Sequence, residues 1–227
     1  MQSIIEISGV SKLYRQGADV VRALDGVSLS VAPGEFVSIL GESGSGKSTL
    51  MNIIGGLDKP SRGQVLVEGD DLSRMNDRQM SRYRNKTVGF VFQNFNLDGS
   101  LTALENVMLP LMYADVRREQ RRKQAALALE RVGLSDRMHH LPSQLSGGQK
   151  QRVSMARAIV NHPKIILADE PTGNLDVKSG RLVILLLREL NSMGYTILMV
   201  THNRQQANTT DRIIEISDGR IIKDTAV

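Results

Sequence analysis

A glycine-rich segment joins an apolar run directly to a helical pattern, and this junction indicates the class of fold. The run "EFVSIL" at residues 35–40 predicts a short strand, and residues 48–57 have the apolar spacing of a helix. Between them, "GESGSGK" carries glycines at positions 41, 44 and 46, which let the backbone turn tightly. Because a strand that leads straight into a helix begins a βαβ unit, the segment predicts an α/β protein.

Four further apolar runs predict the other strands of a parallel sheet. They lie at residues 87–92, 164–169, 196–202 and 212–217. The second of these runs has four apolar residues in succession, which is typical of a strand covered on both faces. A further helical pattern occupies residues 180–191. The alternation predicts a parallel sheet packed between helices.

The edges of this predicted core have antiparallel patterns. Asp218 and Gly219 separate two apolar runs, and both residue types tolerate the positive φ of a hairpin turn. Near the amino terminus, residues 3–14, 20–31 and 64–69 predict shorter strands. We therefore expect a second, antiparallel sheet beside the parallel one.

The middle of the chain is mainly helical in pattern. Ala125, Ala128, Leu129 and Val132 form an apolar stripe at helical spacing, and we find no internal repeat or long linker. We therefore predict one domain over residues 1–227. Its core and β subdomain would comprise about residues 1–93 and 157–227, with a helical subdomain inserted at about residues 94–156.

Composition excludes several classes of protein. The chain has no cysteine, so it forms neither disulfides nor thiolate metal sites. The longest apolar runs fall far short of the roughly 20 residues that a membrane-spanning helix needs. The amino terminus also lacks the pattern of a secretion signal. We expect a protein that stays in the cytosol and reaches a membrane only through a partner chain.

The positive charge is concentrated in the middle of the sequence. The net charge is +5, and residues 74–123 contain ten Lys or Arg against five Asp or Glu. A solvated helix face, as the i,i+4 spacing of Glu119 and Lys123 suggests, and proximity to anionic lipid head groups would both account for this charge. No aromatic platform accompanies it, so we do not expect nucleic acid as a partner.

The glycine-rich segment also matches G-x-x-x-x-G-K-[S/T] at Gly41, Gly46, Lys47 and Ser48. In this motif backbone N–H groups and the helix N-terminus converge on phosphate oxygens. Lys47 would reach the β and γ phosphates, and the Ser48 hydroxyl would ligate Mg²⁺. The motif predicts a nucleoside triphosphate site.

Several polar residues follow the predicted strands and could complete this site. Asp169 ends an apolar strand and could hold Mg²⁺ through water, and Glu170 could polarise the water that attacks the γ-phosphate. Gln93 and His202 end two other strands, on the sheet edge where ligands bind, and could sense the γ-phosphate and its metal. Tyr14 could stack on adenine or could simply pack against its neighbours.

A second Gly-Gly pair, in "LSGGQKQR" at residues 145–152, raises a separate question. One nucleotide needs only one phosphate-binding loop. This segment is therefore either an ordinary helix start capped by Ser146 or a site for a nucleotide that another molecule holds.

Together these motifs resemble the nucleotide-binding subunits of ABC transporters. They occur in the family's order along essentially the whole chain: Tyr14, "GESGSGKST", Gln93, "LSGGQ", "ILADE", "GNLD" and His202. The resemblance implies an ABC-type P-loop NTPase fold with a RecA-like core, ATPase activity, and ATP and Mg²⁺ as cofactors. It implies catalytic roles for Glu170 and His202. It also implies nucleotide contacts from Tyr14, Gly41, Glu42, Ser43, Gly44, Ser45, Gly46, Lys47, Ser48, Thr49 and Gln93, and Mg²⁺ contacts from Ser48, Gln93 and Asp169.

The resemblance further implies that two such subunits close head to tail around two ATP molecules. The opposite subunit would then supply contacts to each nucleotide from Ser146, Gly147, Gly148, Gln149 and Asp176. This arrangement would explain the second Gly-Gly pair, because a helix N-terminus there would face the γ-phosphate bound by the other chain.

Finer features resemble one branch of the family. "FQNFNLDGSLTALENVMLPLMYA" and "LADEPTGNLD" are similar to macrolide exporters, lipoprotein-releasing systems, antimicrobial-peptide pumps and the cell-division ATPase. The branch implies a permease with a large extracytoplasmic part, a periplasmic or extracellular adaptor, and a position on the inner face of the cell membrane. Asn174 and Asn203 depart mildly from the commonest pattern without removing a catalytic group.

Two other functions stay open at this point. A regulator of a membrane complex, such as a cell-division system, would use the same ATP-dependent dimer without transport. A soluble ATPase acting on DNA or ribosomes would be expected to carry a long coiled-coil insertion or a second cassette, and the sequence has neither.

Overall fold

The computed structural model describes residues 3–17 and 19–227. The strands are β1 (Ile5–Gln16), β2 (Asp19–Val31), β3 (Phe36–Leu40), β4 (Arg62–Val67), β5 (Asp70–Asp71), β6 (Val88–Val91), β7 (Ile165–Asp169), β8 (Thr196–Thr201), β9 (Arg212–Ser217) and β10 (Arg220–Ala226). The helices are α1 (Lys47–Ile54), α2 (Asp77–Lys86), α3 (Ala103–Tyr113), α4 (Arg118–Arg131), α5 (Gly147–Ile159), α6 (Val177–Ser192) and α7 (Arg204–Ala207). The prediction of an α/β fold is confirmed.

The larger sheet has the strand order β10-β9-β3-β8-β7-β6. All neighbours from β9 to β6 are parallel, and β10 is an antiparallel edge strand. Residues of β3 and β8 alternate between two apolar clusters, one on each face of the sheet, and both strands are buried throughout. Burial on both faces explains the unbroken apolar runs in the sequence.

The register of this sheet determines where the site lies. Leu40 pairs with Thr201, and Asp169 pairs with Val200, so the carboxyl ends of β3, β8 and β7 lie at one edge. Strand β6 ends at the same edge, since Val91 pairs with Ala168. The residues that follow these four strands are therefore brought together.

The second sheet is antiparallel and has the order β2-β1-β4-β5. The predicted hairpin between β9 and β10 is also confirmed, with Asp218 at φ 49° and Gly219 at φ 73°. This turn touches the glycine-rich segment, because the Gly219 N–H donates to the Ser45 carbonyl at 3.0 Å.

Helices α3, α4 and α5 come between β6 and β7 in the chain, and they pack against one another. The predicted stripe of Ala125, Ala128, Leu129 and Val132 is buried among them. Helix α5 runs on to Ile159, beyond the expected subdomain boundary, and its apolar residues share one cluster with Phe36 and Ile166 of the sheet. The core and the predicted helical subdomain therefore share one apolar cluster, and the boundary between them stays a prediction.

Several helices differ from the sequence prediction. Helix α1 ends at Ile54, three residues earlier than predicted, because Gly55 and Gly56 follow it, and the four-residue helix α7 was not predicted. Helix α2 was not predicted, because only Met80 and Tyr83 of its residues are buried and its other residues are polar. Helix α6 starts at Val177, three residues earlier than predicted, since the Asp176 carboxylate caps it by accepting from the Ser179 N–H at 2.9 Å. Across the described residues no helix has the length and apolar character to cross a bilayer.

Candidate functional site

The glycine-rich segment runs from the end of β3 into the first turn of α1. A Cβ atom on Gly41 would lie 2.3 Å from the Ile216 carbonyl oxygen, and one on Gly46 would lie 2.4 Å from the Ala23 carbonyl oxygen. Gly46 also has φ 101°, a conformation that L-residues rarely adopt. No side chain caps α1, so its first N–H groups are available to an anion. These features fit a phosphate.

Lys47 is buried beneath this loop, with 6% of its surface exposed. Its Nζ donates to the Glu42 carbonyl oxygen at 2.6 Å. Burial lowers the pKa of Lys47, and the nearby carboxylates of Glu170 and Asp169 oppose that effect. A buried ammonium group is suited to binding phosphate oxygens, and the two carboxylates near it are suited to binding the metal ion.

Ser48 and Asp169 face each other across the cleft. The Ser48 Oγ lies 3.4 Å from the Asp169 Oδ1. Burial raises the pKa of Asp169, and the neighbouring charge of Glu170 raises it further, against the effects of Ser48 and Lys47. A divalent cation would relieve this crowding of negative charge, and a hydroxyl and a carboxylate are the oxygen ligands that Mg²⁺ prefers.

Glu170 and His202 form a pair at the same edge of the sheet. The Glu170 Oε1 lies 2.8 Å from the His202 Nδ1. When Glu170 is ionised, Nδ1 carries the proton, which leaves Nε2 free to accept. The Glu170 side chain is 16% exposed and that of His202 is 68% exposed. Glu170 is thus held near the cleft by a histidine that reaches into solvent.

Gln93 approaches from the end of β6. A Cβ atom on Gly173 would lie 2.6 Å from the Gln93 Nε2, so Gly173 makes room for this side chain. Asn174 donates to the Gln93 carbonyl at 3.2 Å and to the Asn94 side chain at 2.8 Å. The loop that begins at Gln93, here called the glutamine loop, is therefore hydrogen-bonded directly to the segment after Glu170.

A single cleft of about 770 Å³ collects most of the predicted residues. It is lined by Leu40, Gly41, Glu42, Ser43, Gly44, Lys47, Ser48, Gln93, Asp169, Glu170, His202 and Arg204. Ser45, Gly46 and Thr49 belong to the loop and first helical turn that form its wall.

Tyr14 does not line this cleft in the structure. Its hydroxyl donates to the Asp58 carboxylate at 2.8 Å, and the Lys12 Nζ lies 5.0 Å from the centre of its ring. Burial and the hydrogen bond to Asp58 raise the pKa of Tyr14. The packing role considered for Tyr14 is present, and its contact with a base stays a prediction.

The "LSGGQ" segment is also outside the cleft. Ser146 caps α5 by accepting from the Gln149 N–H at 3.3 Å, and Gln149 accepts from the Ser146 N–H at 2.8 Å. Gly148 is confined, because its Cβ would lie 2.7 Å from the Ser179 Oγ. None of Ser146, Gly147, Gly148, Gln149 and the α6 cap Asp176 lines the cleft of the phosphate-binding loop. Asp176 instead lines a neighbouring cavity that also includes Glu170 and His202.

Two residues of this region were not predicted from the sequence. Arg204 lines the cleft, with its Nη1 2.6 Å from the Glu215 Oε1. Gln151 is fully buried and donates to the Pro171 carbonyl at 2.7 Å. The position of Arg204, two residues after His202, was the available signal for the first. A polar residue one turn inside α5 gave little indication of the second.

Comparison with known proteins agrees with these features. Residues 24–173 match the family model described as ABC transporter. An uncharacterized ABC transporter ATP-binding protein of Thermotoga maritima is 53% identical over 97% of this chain and 94% of its own length. The macrolide export ATP-binding/permease protein MacB of Sodalis glossinidius is 50% identical over 98% of this chain, which spans only 34% of that protein.

Solved structures of an ATP-binding cassette are also similar to this chain. The ATP-binding cassette MJ0796, in a dimeric post-hydrolysis state bound to ADP and Pi, has a TM-score of 0.91 and 44% identity, and 98% of each chain is covered. A second dimeric structure of the same cassette has a TM-score of 0.91 and 45% identity.

Proposed function

Because this chain belongs to the ABC transporter family and has its ATPase cassette fold, we propose that two copies close head to tail around two ATP molecules to drive a separate membrane permease. One observation carries the proposal. The chain has two glycine-bearing helix starts, and only that of α1 lines its own nucleotide cleft. The solved relatives are dimeric, which supports a second chain as the partner of the α5 helix start.

The phosphate-binding loop and Lys47 hold the triphosphate in this proposal. Backbone N–H groups of residues 41–48 and the N-terminus of α1 face its oxygens, and Lys47 exchanges the Glu42 carbonyl for the β and γ phosphates. Tyr14 stacks on adenine once a nucleotide is present. An aromatic ring has a flat apolar face that is suited to such stacking.

Ser48, Asp169 and Gln93 would hold the Mg²⁺. The ion, when bound, supplies positive charge that neutralises the phosphate oxygens. Ser48 offers a hydroxyl, Asp169 a carboxylate, and Gln93 an amide oxygen from the end of β6. The raised pKa of Asp169 fits this role, because a cation stabilises the ionised form that burial disfavours.

Glu170 and His202 carry the proton chemistry of hydrolysis. A water attacks the γ-phosphorus, the bond from that phosphorus to the β–γ bridging oxygen breaks, and the Glu170 carboxylate takes the proton of the water. The His202 Nδ1–H holds the carboxylate in position, and its Nε2 faces outward. ADP and phosphate then leave, and the two chains separate.

The α5 start of the opposite chain would complete each site. Ser146, Gly147, Gly148 and Gln149 lie where N–H groups and the helix dipole meet an anion. Asp176 caps α6 beside them and would lie in the interface between chains.

A second groove supports the assignment to a permease. It has a volume of about 470 Å³ and lies between α2, β6 and α3. The stacked rings of Phe90 and Phe92 form part of it, and Leu109, Pro110 and Tyr113 form another side. Tyr113 is 80% exposed. We propose that a cytoplasmic helix of the permease binds in this groove, which begins beside the glutamine loop.

The finer assignment follows the exporter relatives. In this assignment the permease has an extracytoplasmic domain, and an adaptor binds the permease outside the membrane. The ATPase dimer lies on the inner face of the cell membrane, and nucleic acid is not a partner. The similarity to MacB supports this branch. The regulator of a membrane complex is the competing function.

The test is ATP-dependent dimerisation of a variant that binds ATP without hydrolysing it. Glu170→Gln with Mg-ATP should elute at about twice the 25.0 kDa mass of the chain. Glu170→Gln/Ser146→Glu should stay monomeric, because a carboxylate would face the γ-phosphate. A Glu170→Gln protein that stays monomeric while it binds ATP would contradict the proposal.

A further inference from the structure

The side chain of Gln151 joins the helix that starts at "LSGGQ" to the segment that follows Glu170. Gln151 is 0% exposed, and its Nε2 donates to the Pro171 carbonyl at 2.7 Å. The orientation of the amide follows from this partner, since a carbonyl oxygen only accepts. The Gln151 Oε1 has no hydrogen-bond partner among the described residues. The amide therefore makes one buried bond, and that bond holds the backbone beside the catalytic carboxylate.

The backbone at Glu170 needs such support. Glu170 has φ 44°, in the left-handed region that a non-glycine residue adopts only when its surroundings hold it there. Its N–H donates to the Val200 carbonyl and its carbonyl accepts from the Gly173 N–H, each at 2.9 Å. Pro171 has no N–H, so its carbonyl is the one backbone group through which it can be held. Gln151 supplies that contact.

The first turn of α5 packs against the same segment. A Cβ atom on Gly147 would lie 3.4 Å from the Leu175 side chain, and one on Gly148 would contact Ser179. Gln151 follows Gly147 by four residues and so lies on the same helix face. The start of α5 and residues 171–179 therefore form one packed unit, with the Gln151 amide as its buried polar contact.

We propose that Gln151 is a positioning residue that couples the "LSGGQ" segment of a chain to the Glu170 of the same chain. This inference rests on the proposed function, in which "LSGGQ" serves the partner's ATP and Glu170 serves its own. When closure of the dimer orients α5 on one nucleotide, the Gln151–Pro171 bond orients the carboxylate at the other. The bond is thus a physical connection between the two ATP sites, and it makes their hydrolysis cooperative.

The test compares Gln151→Met with Ser154→Ala. Met is close in size to Gln and cannot donate, so the Pro171 carbonyl loses its partner. Ser154 is equally buried on the same helix, and its Oγ has no partner among the described residues, which makes it a matched control. Hydrogen exchange of the Gly173 amide in the nucleotide-free chain, and steady-state ATP hydrolysis, are measured for both variants.

We expect Gln151→Met to speed exchange at Gly173 by about tenfold, because its bond to Glu170 is no longer supported. We also expect kcat to fall by about tenfold or more with KM within twofold, and the Hill coefficient for ATP to move toward one. Ser154→Ala should match the wild type. A merely structural Gln151 would lower Tm and leave exchange at Gly173, kcat and the Hill coefficient unchanged, which would overturn the inference. A wild type without ATPase activity would instead count against the proposed function, and the exchange measurement would still decide the role of Gln151.

Discussion

The His202 Nδ1 lies 2.8 Å from the Glu170 Oε1, and each residue directly follows a buried strand of the parallel sheet. Strands β7 and β8 are neighbours in register, so their ends present the two side chains to one cleft. The pair explains how a carboxylate beside Asp169 is held in one orientation. We infer that His202, through this contact, helps to hold Glu170 in position.

His202→Ala should therefore slow hydrolysis without preventing ATP binding. We expect kcat to fall about 100-fold, the scale of a misplaced general base, with KM changed by less than threefold. His139→Ala is the control, because His139 is exposed and lies outside the cleft. A His202→Ala enzyme that keeps more than half of the wild-type kcat would show that the pair does not position the base.

The partly buried charge of Asp169 should cost stability at neutral pH. Its pKa in the folded chain lies above the ordinary value, mainly because of burial and then because of Glu170, so the ionised form is disfavoured by folding. The stabilising contribution of the protonated group is complete below the unfolded pKa and is lost as pH rises through the raised folded pKa.

Asp169→Asn should consequently have a higher Tm than the wild type at pH 7 without nucleotide. The difference should shrink as pH falls toward the ordinary Asp value near 3.8. The same variant should lose Mg²⁺-dependent ATPase activity. Thermal unfolding over this pH range measures the effect, and a Tm at pH 7 that is lower than that of the wild type would contradict it.

The close contact between Gly148 and Ser179 predicts a specific rescue. Gly148→Ala should destabilise the fold by about 1–3 kcal/mol, because its Cβ has no room, although alanine normally favours a helix. Adding Ser179→Gly should restore most of that loss. Gly99→Ala is the control, since a Cβ there meets nothing within 4 Å. Chemical denaturation measures all four proteins, and a Gly148→Ala variant as stable as the wild type would disprove the contact.

The exposed ring of Tyr113 predicts an effect on partner binding alone. Tagged Glu170→Gln protein with Mg-ATP should recover a permease with an extracytoplasmic domain from detergent-solubilised native membranes. Adding Tyr113→Glu should reduce that recovery at least about tenfold, as expected for an aromatic anchor, while the ATP-bound dimer still forms. Ile222→Glu, at a residue 65% exposed on β10, should have no effect. Equal recovery with Tyr113→Glu would place the permease elsewhere, and recovery of a division or cell-wall complex would favour a regulator.

Much of this site was predictable because its residues follow strands whose apolar runs are unambiguous. Lys47, Asp169, Glu170 and His202 lie within one or two residues of strand or helix ends, and parallel pairing brings those ends together. The chemistry of each residue type then indicates its role. For such residues, the strand pattern and the local motif are sufficient to predict their position at one edge of the sheet, and their roles stay predictions.

Other features depend on contacts between distant parts of the chain. The bond from Gln151 to Pro171, the ion pair of Arg204 with Glu215 and the contacts of Tyr14 with Asp58 each join segments that share no local pattern. Glu119 and Lys123 show the converse, because they have helical pair spacing but form no ion pair in the described part of the chain. Such contacts are determined by packing, which periodicity does not report.

We propose that each ATP site combines the phosphate-binding loop of one chain with the "LSGGQ" segment of the other. The most direct test mixes two defective proteins, both carrying Glu170→Gln: one with Lys47→Ala and one with Ser146→Glu. Neither should dimerise alone with Mg-ATP. The mixture contains one intact site per heterodimer, built from the Lys47 of one chain and the Ser146 of the other. We predict that mixing produces an ATP-dependent dimer with about one trapped nucleotide, as the trans geometry requires. A mixture that stays monomeric, like its two components, would contradict the claim.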